Sequence, residues 1–403
     1  MNQIHPGNRV LLFIGSYAGI FLAATNATFS IVSREIAKAN GWDLNHLTYA
    51  YPLNLLVLCI VGIFAGIYAD KKGTAKLMLY GCLFGAAGWM MTGFSMNPFM
   101  FYISFGLICG VAEGLLYTPV LTQTLKWFPE KKGVMSGALL SAAALGPFVM
   151  GPLFRAGFGR IGVPAVLTIF GGSFIAVLVL FHKYQPASGR LADTEKDTRI
   201  DIQDVPPGKM IQIPVFYVLI VLLMALSCGG NMMIGTLYTI AIEQVRMSAE
   251  QAAWVVSIST LANLAGRLSF GPVNDRIGWR KSLVISIFST MTALLLLCTD
   301  AADRGIVFCC CIAVIGFCFA GPLVTFPTLT QHFFGSRYFG VNYGIVFLGY
   351  SVAAFIGPKI ALNLFAQTGS FTNAYLIAAS ITALGVILLI LLSVMQRKYK
   401  YER

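Results

Sequence analysis

The sequence predicts an all-α integral membrane protein, with twelve transmembrane helices in two six-helix bundles that are related by a parallel repeat. Three observations predict this fold. The chain of 403 residues is 57% hydrophobic and only 11% charged, whereas soluble domains carry about 25% charged residues. Its mean hydropathy is +0.76, and its apolar runs are long enough to cross a bilayer core of about 30 Å. Finally, short motifs recur in the same order in both halves.

Each apolar run is predicted to be a helix, because hydrocarbon offers no partner for backbone N–H and C=O groups outside the segment itself. The strands of a membrane β-barrel would instead alternate apolar and polar residues. The twelve predicted spans are 9–32, 46–69, 75–95, 98–124, 132–156, 161–182, 213–240, 248–274, 281–299, 303–327, 339–364 and 371–396.

The long polar stretch 183–212 predicts a cytoplasmic linker between an N-terminal bundle, residues 1–182, and a C-terminal bundle, residues 213–403. With both termini in the cytoplasm, 20 of the 28 Lys and Arg residues lie on the cytoplasmic side and six on the other. This asymmetry follows the positive-inside rule. The membrane topology therefore explains the net charge of +12, and we expect no nucleic-acid partner. We expect the protein to lie in the cell (inner) membrane, in contact with lipid.

Three motif pairs establish the internal repeat. The loop sequence GIYADKKG at 66–73 matches GPVNDRIG at 271–278, PVLTQ at 119–123 resembles PTLTQ at 327–331, and Gly-Pro at 146–147 recurs at 357–358. The offsets of 205, 208 and 211 residues are nearly constant, so span n corresponds to span n+6. In proteins built this way, substrate sites lie near the bilayer midplane between the halves.

The two loop sequences fit the pattern G-x-x-x-D-[RK]-x-G and resemble the signature of the major facilitator superfamily. The resemblance implies alternating access, with the loop aspartates as part of a charge lock between states. It assigns gating roles to Gly66, Asp70, Gly271, Asp275 and Arg276. In the alternative interpretation, these residues only cap helices and set topology.

Further stretches narrow the resemblance to the oxalate/formate antiporter family and the related monocarboxylate transporters. They are GVAEGLLYTP at 110–119, KWFPEKKG at 126–133, NLAGR at 263–267 and GVNYG at 340–344. The resemblance implies a secondary active transporter of small organic carboxylates, by anion exchange or proton-coupled symport.

Arg267 is the first candidate for substrate binding. An arginine in the middle of a span costs about 3 kcal/mol on insertion scales, so it normally faces a partner or a water-filled cavity. Its planar guanidinium matches a carboxylate through two parallel hydrogen bonds, and the resemblance implies the same role. Alternatively, Arg267 pairs with a protein acid or extends to the inner surface.

Tyr350 stands where the oxalate carriers of the resembled family place a lysine, eight residues after the asparagine of GVNYG. One cation with a hydroxyl suits a monoanion better than a dianion. We therefore expect a monocarboxylate such as lactate, pyruvate or formate, with oxalate:formate antiport as the alternative. Lys359 lies nine residues further, about 13 Å along a helix, which indicates an interfacial position.

Glu113 is the candidate for proton coupling. Proton-coupled monocarboxylate transporters have an aspartate four residues before the arginine of the eighth span, where this chain has Asn263, a further substrate-binding candidate that cannot take up a proton. Glu113 is an ionisable group at an expensive depth. It either exchanges a proton or forms a permanent ion pair with Arg267, with which the substrate competes; a third interpretation is structural.

The remaining candidates for substrate contact are Tyr117, Asn26 and Asn231. Tyr117 matches a family position whose hydroxyl contacts the carboxylate, and it shares a helical face with Glu113. Asn26 and Asn231 lie 205 positions apart in the first and seventh spans, and a hydrogen bond between helices explains each of them equally well.

Other classes fit less well. There is no Gly-rich phosphate loop and no Ser/His/Asp set, so we expect no enzyme, no cofactor and no metal. The nine cysteines fall in apolar runs without metal-ligand spacing. A carboxylate sensor that does not transport is a remote alternative, because such proteins usually need an appended soluble domain. A repeat that completes the cavity within one chain favours a monomer.

Overall fold

The computed structural model describes residues 6–47, 49–128, 131–184, 204–299 and 305–401, and within them the all-α prediction is confirmed. Twelve long helical segments follow one another and are numbered α1 to α12. They are Arg9–Asn40, Ala50–Lys72, Ala75–Gly93, Pro98–Lys126, Lys132–Ile161, Val163–Tyr184, Pro214–Glu243, Ala249–Ile277, Trp279–Leu296, Gly305–Phe334, Phe339–Thr368 and Thr372–Tyr401.

Ten of these segments are long and apolar enough to cross a membrane. The other two, α3 and α8, are 19 and 29 residues long, so they are sufficient in length but less apolar. The chain is therefore a multi-pass membrane protein. The lower hydropathy of α8 reflects polar side chains such as Asn263 and Arg267, which the structure buries.

The ends of the helices do not always coincide with the ends of the apolar runs in the sequence. The first span is predicted over 9–32, but α1 continues through charged residues to Asn40. It ends at Gly41, whose φ of 68° places it in the left-handed region and whose N–H bonds Ala37 O. A glycine in this conformation is a common helix terminator, so the stop comes from the turn and not from the loss of hydrophobicity.

Two helices are irregular inside the membrane. In α1, a 3₁₀ turn at Thr25–Thr28 separates two α-helical parts. In α4, a π-helical segment occupies Tyr102–Ile108, and the helix breaks at Tyr117 (φ −78°, ψ −80°), two residues before Pro119. Proline has no backbone N–H and its ring clashes with the preceding turn, which accounts for the break at Tyr117.

The chain divides into two compact units. Unit 1 comprises residues 1–130, 139–207 and 330–345, and unit 2 comprises residues 131–138, 208–329 and 346–403. Each unit therefore contains a short segment from the other half. The division at 183–212 stays a prediction, since 185–203, with Arg190, Asp193, Glu195, Lys196, Asp197 and Arg199, lies outside the described residues.

Each unit has an apolar core. In unit 1, Trp89 packs edge-on against Phe170, with ring centroids 4.8 Å apart, and against Phe105 at 5.9 Å. In unit 2, buried Met232, Phe308 and Tyr375 belong to one cluster. Such edge-to-face pairs add to the energy of area burial, and they fix the rotation of α4 relative to α3.

A glycine stripe brings α4 against α2 in unit 1. A Cβ at Gly110 would lie 2.9 Å from Asn54 O and 2.9 Å from Val57 Cβ, and one at Gly114 would lie 2.8 Å from Leu58 O. Only glycine permits this approach of two backbones, which is the usual means of helix association in membranes. The stripe sets the distance between Asn54 and the polar side chains of α4.

We expect Gly110→Ala to lower the melting temperature of the detergent-solubilised protein by about 2–8 °C. The added methyl has no space and overpacking costs about 1–3 kcal/mol. Gly172→Ala is the matched control, because a Cβ there meets nothing within 4 Å; its melting temperature should stay within about 1 °C of the parent. Equal melting temperatures for both variants would contradict the packing role.

Candidate functional site

A buried polar cluster surrounds Glu113 in unit 1. Glu113 of α4 is 8% exposed, Asn26 of α1 is 2% exposed and Asn54 of α2 is fully buried. Asn26 Nδ2 donates to Glu113 Oε2 at 2.9 Å and lies 3.4 Å from both Asn54 Oδ1 and Cys109 O. Asn54 Nδ2 donates to Phe105 O at 2.9 Å. The cluster therefore joins α1, α2 and α4.

The irregular segments of α1 and α4 position this cluster. Asn26 lies in the 3₁₀ turn of α1, and the two carbonyls that accept from the asparagines, those of Phe105 and Cys109, lie in or directly after the π segment of α4. Such π segments frequently occur at functional sites. Asn26 Oδ1 is buried without a hydrogen-bond partner, an arrangement that costs about 1–3 kcal/mol.

The Glu113 carboxyl group is held by a neutral amide, that of Asn26 in α1. The charged residue of α1 nearest to Asn26 in the sequence is Arg34, eight positions after it, and that of α2 nearest to Asn54 is Asp70, sixteen positions after it. At 1.5 Å per residue these are separations of about 12 and 24 Å. Within unit 1, a neutral hydrogen-bond donor thus holds the Glu113 carboxyl group, without a neighbouring cation from these helices.

Arg267 lies in unit 2 and is oriented by the asparagine one turn before it. Both residues of α8 are buried, Arg267 at 8% and Asn263 at 7% exposure. Arg267 Nε donates to Asn263 Oδ1 at 2.9 Å, and Asn263 Nδ2 donates to Gly316 O of α10 at 3.1 Å. The asparagine fixes the plane of the guanidinium, because it is itself anchored to the neighbouring helix.

Tyr350 of α11 belongs to an aromatic group in unit 2. Its ring stacks on Phe347 with centroids 4.9 Å apart and an interplanar angle of 21°, and Phe319 of α10 lies 6.4 Å away. Lys359, on the same helix, is exposed and lies 5.9 Å over the ring of Phe355, which is also exposed. An exposed lysine above an exposed ring is typical of an interfacial position.

Tyr117 and Asn231 have different surroundings. Tyr117 occupies the break of α4 and is 7% exposed. Asn231 of α7 donates from Nδ2 to Ser227 O of its own helix at 2.9 Å and is only partly buried. The structure thus brings Asn26 to Glu113 in unit 1 and Asn263 to Arg267 in unit 2, while the described bond of Asn231 is local.

Asp70, at the end of α2, receives four hydrogen bonds in unit 1. Oδ1 accepts from Lys126 Nζ at 2.8 Å, from Gln123 Nε2 at 3.0 Å and from Gly340 N at 3.0 Å, while Oδ2 accepts from Val341 N at 3.1 Å. The side chains of Asp70 and Lys126 are each 4% exposed. We name this set of hydrogen bonds the Asp70 contact. It joins the Asp70 carboxylate to the buried cation of Lys126 and to the first turn of α11.

Asp275 makes a related contact in unit 2. Its two carboxylate oxygens accept from Gly133 N and Val134 N, each at 3.1 Å, in the first turn of α5. Asp275 and Arg276 are exposed. Gly66 and Gly271 permit these contacts: a Cβ at Gly66 would lie 2.7 Å from Gly340 O, and one at Gly271 would lie 2.5 Å from Gly133 O.

Sequence reasoning missed Gln123, Lys126 and Asn54. Gln123 was visible only as a member of the PVLTQ repeat, and Lys126 only as a basic residue of the KWFP motif. The two halves differ here, because the position 208 residues after Lys126 is Phe334. A basic residue retained in one repeat and absent from the other was the available signal for a buried ion pair.

Comparison with known proteins agrees with this architecture. The sequence profile of the Major Facilitator Superfamily matches residues 13–225 and 220–402. The chain is 25% identical over 353 residues to the uncharacterized MFS-type transporter YhjX of Escherichia coli K12, covering 86% of each protein. It is 24% identical to the oxalate:formate antiporter of Oxalobacter formigenes over 89% of this chain and 85% of that protein. For human monocarboxylate transporter 12, the identity is 22% over 89% of this chain and 76% of that protein.

Among solved structures, the chain resembles the transporter FucP in the outward conformation, with a TM-score of 0.70. The match covers 96% of this chain and 99% of FucP at 15% sequence identity. A likeness at this identity shows the fold, namely the helical architecture of a transporter with two related halves.

The two loop aspartates should differ in their effect on stability. Asp70→Asn leaves Lys126 buried without its counter-charge, so we expect a loss of about 3–5 kcal/mol. Asp275→Asn affects an exposed group that bonds two helix N–H donors, so about 1 kcal/mol or less should be lost. Thermal unfolding in detergent measures both losses.

The double variant Asp70→Asn/Lys126→Met is the control for the charge effect. It removes the unpaired cation and should regain part of the stability lost in Asp70→Asn. Equal unfolding temperatures for Asp70→Asn and Asp275→Asn would refute the expected difference in stability between the two aspartate contacts. A double variant less stable than Asp70→Asn would refute it as well.

Proposed function

The chain belongs to the major facilitator superfamily, and from this premise we propose that it transports a small organic monocarboxylate across the membrane by alternating access. The observation that carries the proposal is the buried guanidinium of Arg267, held through Asn263 to α10. A charge at this depth is costly. Secondary transporters retain such charges for substrates or coupling ions, and an arginine suits a carboxylate.

The relatives support the same substrate class. Two proteins that match most of this chain are described as an oxalate:formate antiporter and a monocarboxylate transporter. In our proposal, Asn263 positions the Arg267 guanidinium and is not itself a proton carrier. Tyr117, with its polar hydroxyl at a helix break, is a second contact for the carboxylate, while Asn231 contributes through the packing of α7.

Tyr350 favours a monoanion. The ring is stacked on Phe347 and supplies no positive charge, so a second carboxylate would enter an aromatic region without a counter-ion. Exposed Lys359 offers no evident compensation, since it lies over a ring at the protein surface. Oxalate:formate antiport remains the second candidate, supported by the similarity to the Oxalobacter protein.

We propose Glu113 as the coupling acid. The side chain is buried, and its partner in unit 1 is the neutral amide of Asn26, so no fixed charge of that cluster would prevent the carboxyl group from taking up a proton. A permanent ion pair with Arg267 is the competing interpretation. The two interpretations differ in what happens when the carboxyl group is replaced by an amide.

Asp70 and Asp275 provide the gating elements of the proposal. Each joins the end of an even-numbered helix to the first turn of a helix from the other sequence half. Alternating access requires such contacts to form and break, and glycines at 66 and 271 allow the close approach. We further propose that the protein acts as a monomer in the cell membrane, with both termini in the cytoplasm.

Arg267→Gln should abolish carboxylate uptake in proteoliposomes, with at least a ~30-fold loss, because truncating a buried hydrogen-bonded charge costs about 2–5 kcal/mol. Arg267→Lys should also be impaired, since it keeps the charge but loses the planar fork. Arg160→Gln, at an exposed arginine near the end of α5, is the charge-matched control. Unimpaired transport by a folded Arg267→Gln variant would refute the site.

Glu113→Gln should retain carboxylate exchange but lose accumulation driven by a pH gradient, because an amide cannot carry a proton. The measurement compares counterflow with pH-driven uptake of the same labelled substrate in the same vesicles. Retained accumulation would exclude Glu113 as the coupling acid. Loss of both activities in a folded protein would favour the ion pair with Arg267.

A ligand screen tests the substrate class. Formate, acetate, lactate, pyruvate, oxalate, malonate and succinate are added to the purified protein, with chloride and a neutral sugar as controls. A ligand at 100 times its Kd adds about 2.7 kcal/mol to the folded state, so a monocarboxylate should raise the melting temperature. Tyr350→Lys should shift the preference towards oxalate. Stabilisation of the parent by oxalate alone would favour the second candidate.

A further inference from the structure

Residues 204–205 of the linker are bound to the segment 334–342, which runs from the end of α10 into the first turn of α11. Val205 N donates to Phe334 O at 3.0 Å, and Asn342 Nδ2 donates to Val205 O at 3.0 Å. Asp204 Oδ1 accepts from the backbone N–H groups of Ser336 and Arg337, each at 3.0 Å. We name these five residues, Val205, Phe334, Ser336, Arg337 and Asn342, together with Asp204, the linker clasp. All of them belong to unit 1.

The segment 334–342 is shaped to receive the linker. Gly335 has a φ of 81°, and a Cβ at this position would lie 2.9 Å from Asp204 Cα, so both its conformation and its space require glycine. Val205 is 7% exposed and Asn342 is fully buried. A solvated linker that passed over the surface would require neither a glycine at position 335 nor the burial of Val205 and Asn342.

The clasp also accounts for a residue of the GVNYG motif that the transport proposal leaves without a role. The side chain of Asn342 does not serve its own helix in the described bonds: it reaches the backbone of the linker, 137 positions earlier. An asparagine supplies the N–H donor that a buried carbonyl such as that of Val205 needs.

The same segment, 334–342, also carries the Asp70 contact. Gly340 and Val341, whose N–H groups bind Asp70, lie between Ser336–Arg337, which bind Asp204, and Asn342, which binds Val205. The segment 334–342 is therefore held from two sides, by the linker and by the end of α2. Hydrogen bonds that fix a turn in advance reduce the entropy lost when a second group binds it.

We propose that Asp204 and Asn342 are positioning residues for transport: the linker clasp holds the first turn of α11 in the form that Asp70 binds, and thereby sets how readily the Asp70 contact breaks during the cycle. The inference goes beyond the proposed substrate, because it concerns the conformational step that any substrate would require.

Hydrogen–deuterium exchange of the full-length protein in detergent tests the coupling without a substrate. In Asp204→Ala, we expect exchange to rise at least ~10-fold at Ser336 and Arg337, which lose their acceptor, and also at Gly340 and Val341, whose acceptor Asp70 is untouched. Asn342→Ala leaves the Asp204 acceptor in place but removes the donor to Val205 O, so it should raise exchange at Gly340 and Val341. Asp201→Ala removes the same charge from the linker and is the control. Asp70→Ala, which removes both acceptor oxygens, shows the exchange rate of Gly340 and Val341 without the contact.

Faster exchange at Ser336 and Arg337 alone, with Gly340 and Val341 as in the parent protein, would overturn the proposal, since the clasp would then be a local anchor. Unchanged exchange at all four residues would overturn it as well. Because no ligand is added, either result is distinguishable from failure of the carboxylate assignment.

Transport kinetics provide the second readout, with labelled formate, lactate and pyruvate as the probes. Asp204→Ala should change the maximal rate at least ~3-fold at an unchanged KM, and Asp204→Glu, which keeps a carboxylate acceptor, should restore part of the parent rate. In the Asp70→Ala background, where the Asp70 contact is absent, Asp204→Ala should have no further effect, because coupled residues are not additive. A fully additive effect, or an unchanged rate in the single variant, would contradict a positioning role.

Discussion

Hydrocarbon offers a polar side chain no partner, so each polar group inside this protein depends on another group of the chain. Asn26 donates to Glu113, Asn263 accepts from Arg267, and Lys126 lies against Asp70. Each of the first two pairs contains one ionisable residue and the third contains two, and burying such residues is costly. Two of these pairs join helices, since Asn26 binds Glu113 across α1 and α4 and Lys126 binds Asp70 across α4 and α2. The remaining pair, Asn263 and Arg267, lies within α8, and Asn263 joins it to α10 through Gly316 O.

Backbone proximity is the second condition for these contacts. Glycine at positions 66 and 271 lets a helix end approach the first turn of another helix closely enough for an aspartate to reach its N–H groups. Glycine at 110 and 114 does the same between α2 and α4. The stripe therefore has a direct consequence for chemistry, since it places Asn54 against the π segment and the Glu113 cluster.

The two halves repeat the same device with different strength. Asp70 is buried and has a cation, Lys126, while Asp275 is exposed and bonds backbone donors. Exposed charges are screened by water and contribute little, whereas a buried carboxylate depends on its partners. The linker clasp adds a third contact to the side that already holds the buried pair.

Several features follow from the sequence by itself. Hydropathy predicts the twelve helices, because helical hydrogen bonds are local and any long apolar run in hydrocarbon must make them. The motif repeat predicts the two related halves, and the family match confirms the superfamily. The site residues Arg267, Glu113, Tyr117 and Tyr350 remain predictions from the depth of charges and from resemblance.

Other features are decided only by the tertiary structure. The partners of Glu113 and Asp70 come from 87 and 270 positions away, and no local pattern encodes which side chain will meet them. Packing of helices by glycine and aromatic contacts selects those partners, as it selects Asn342 for the linker. Helix ends such as Gly41 are also set by backbone conformation and not by hydropathy. Local hydrogen bonds thus determine which segments become helices, and the packing of those helices determines which side chains come into contact.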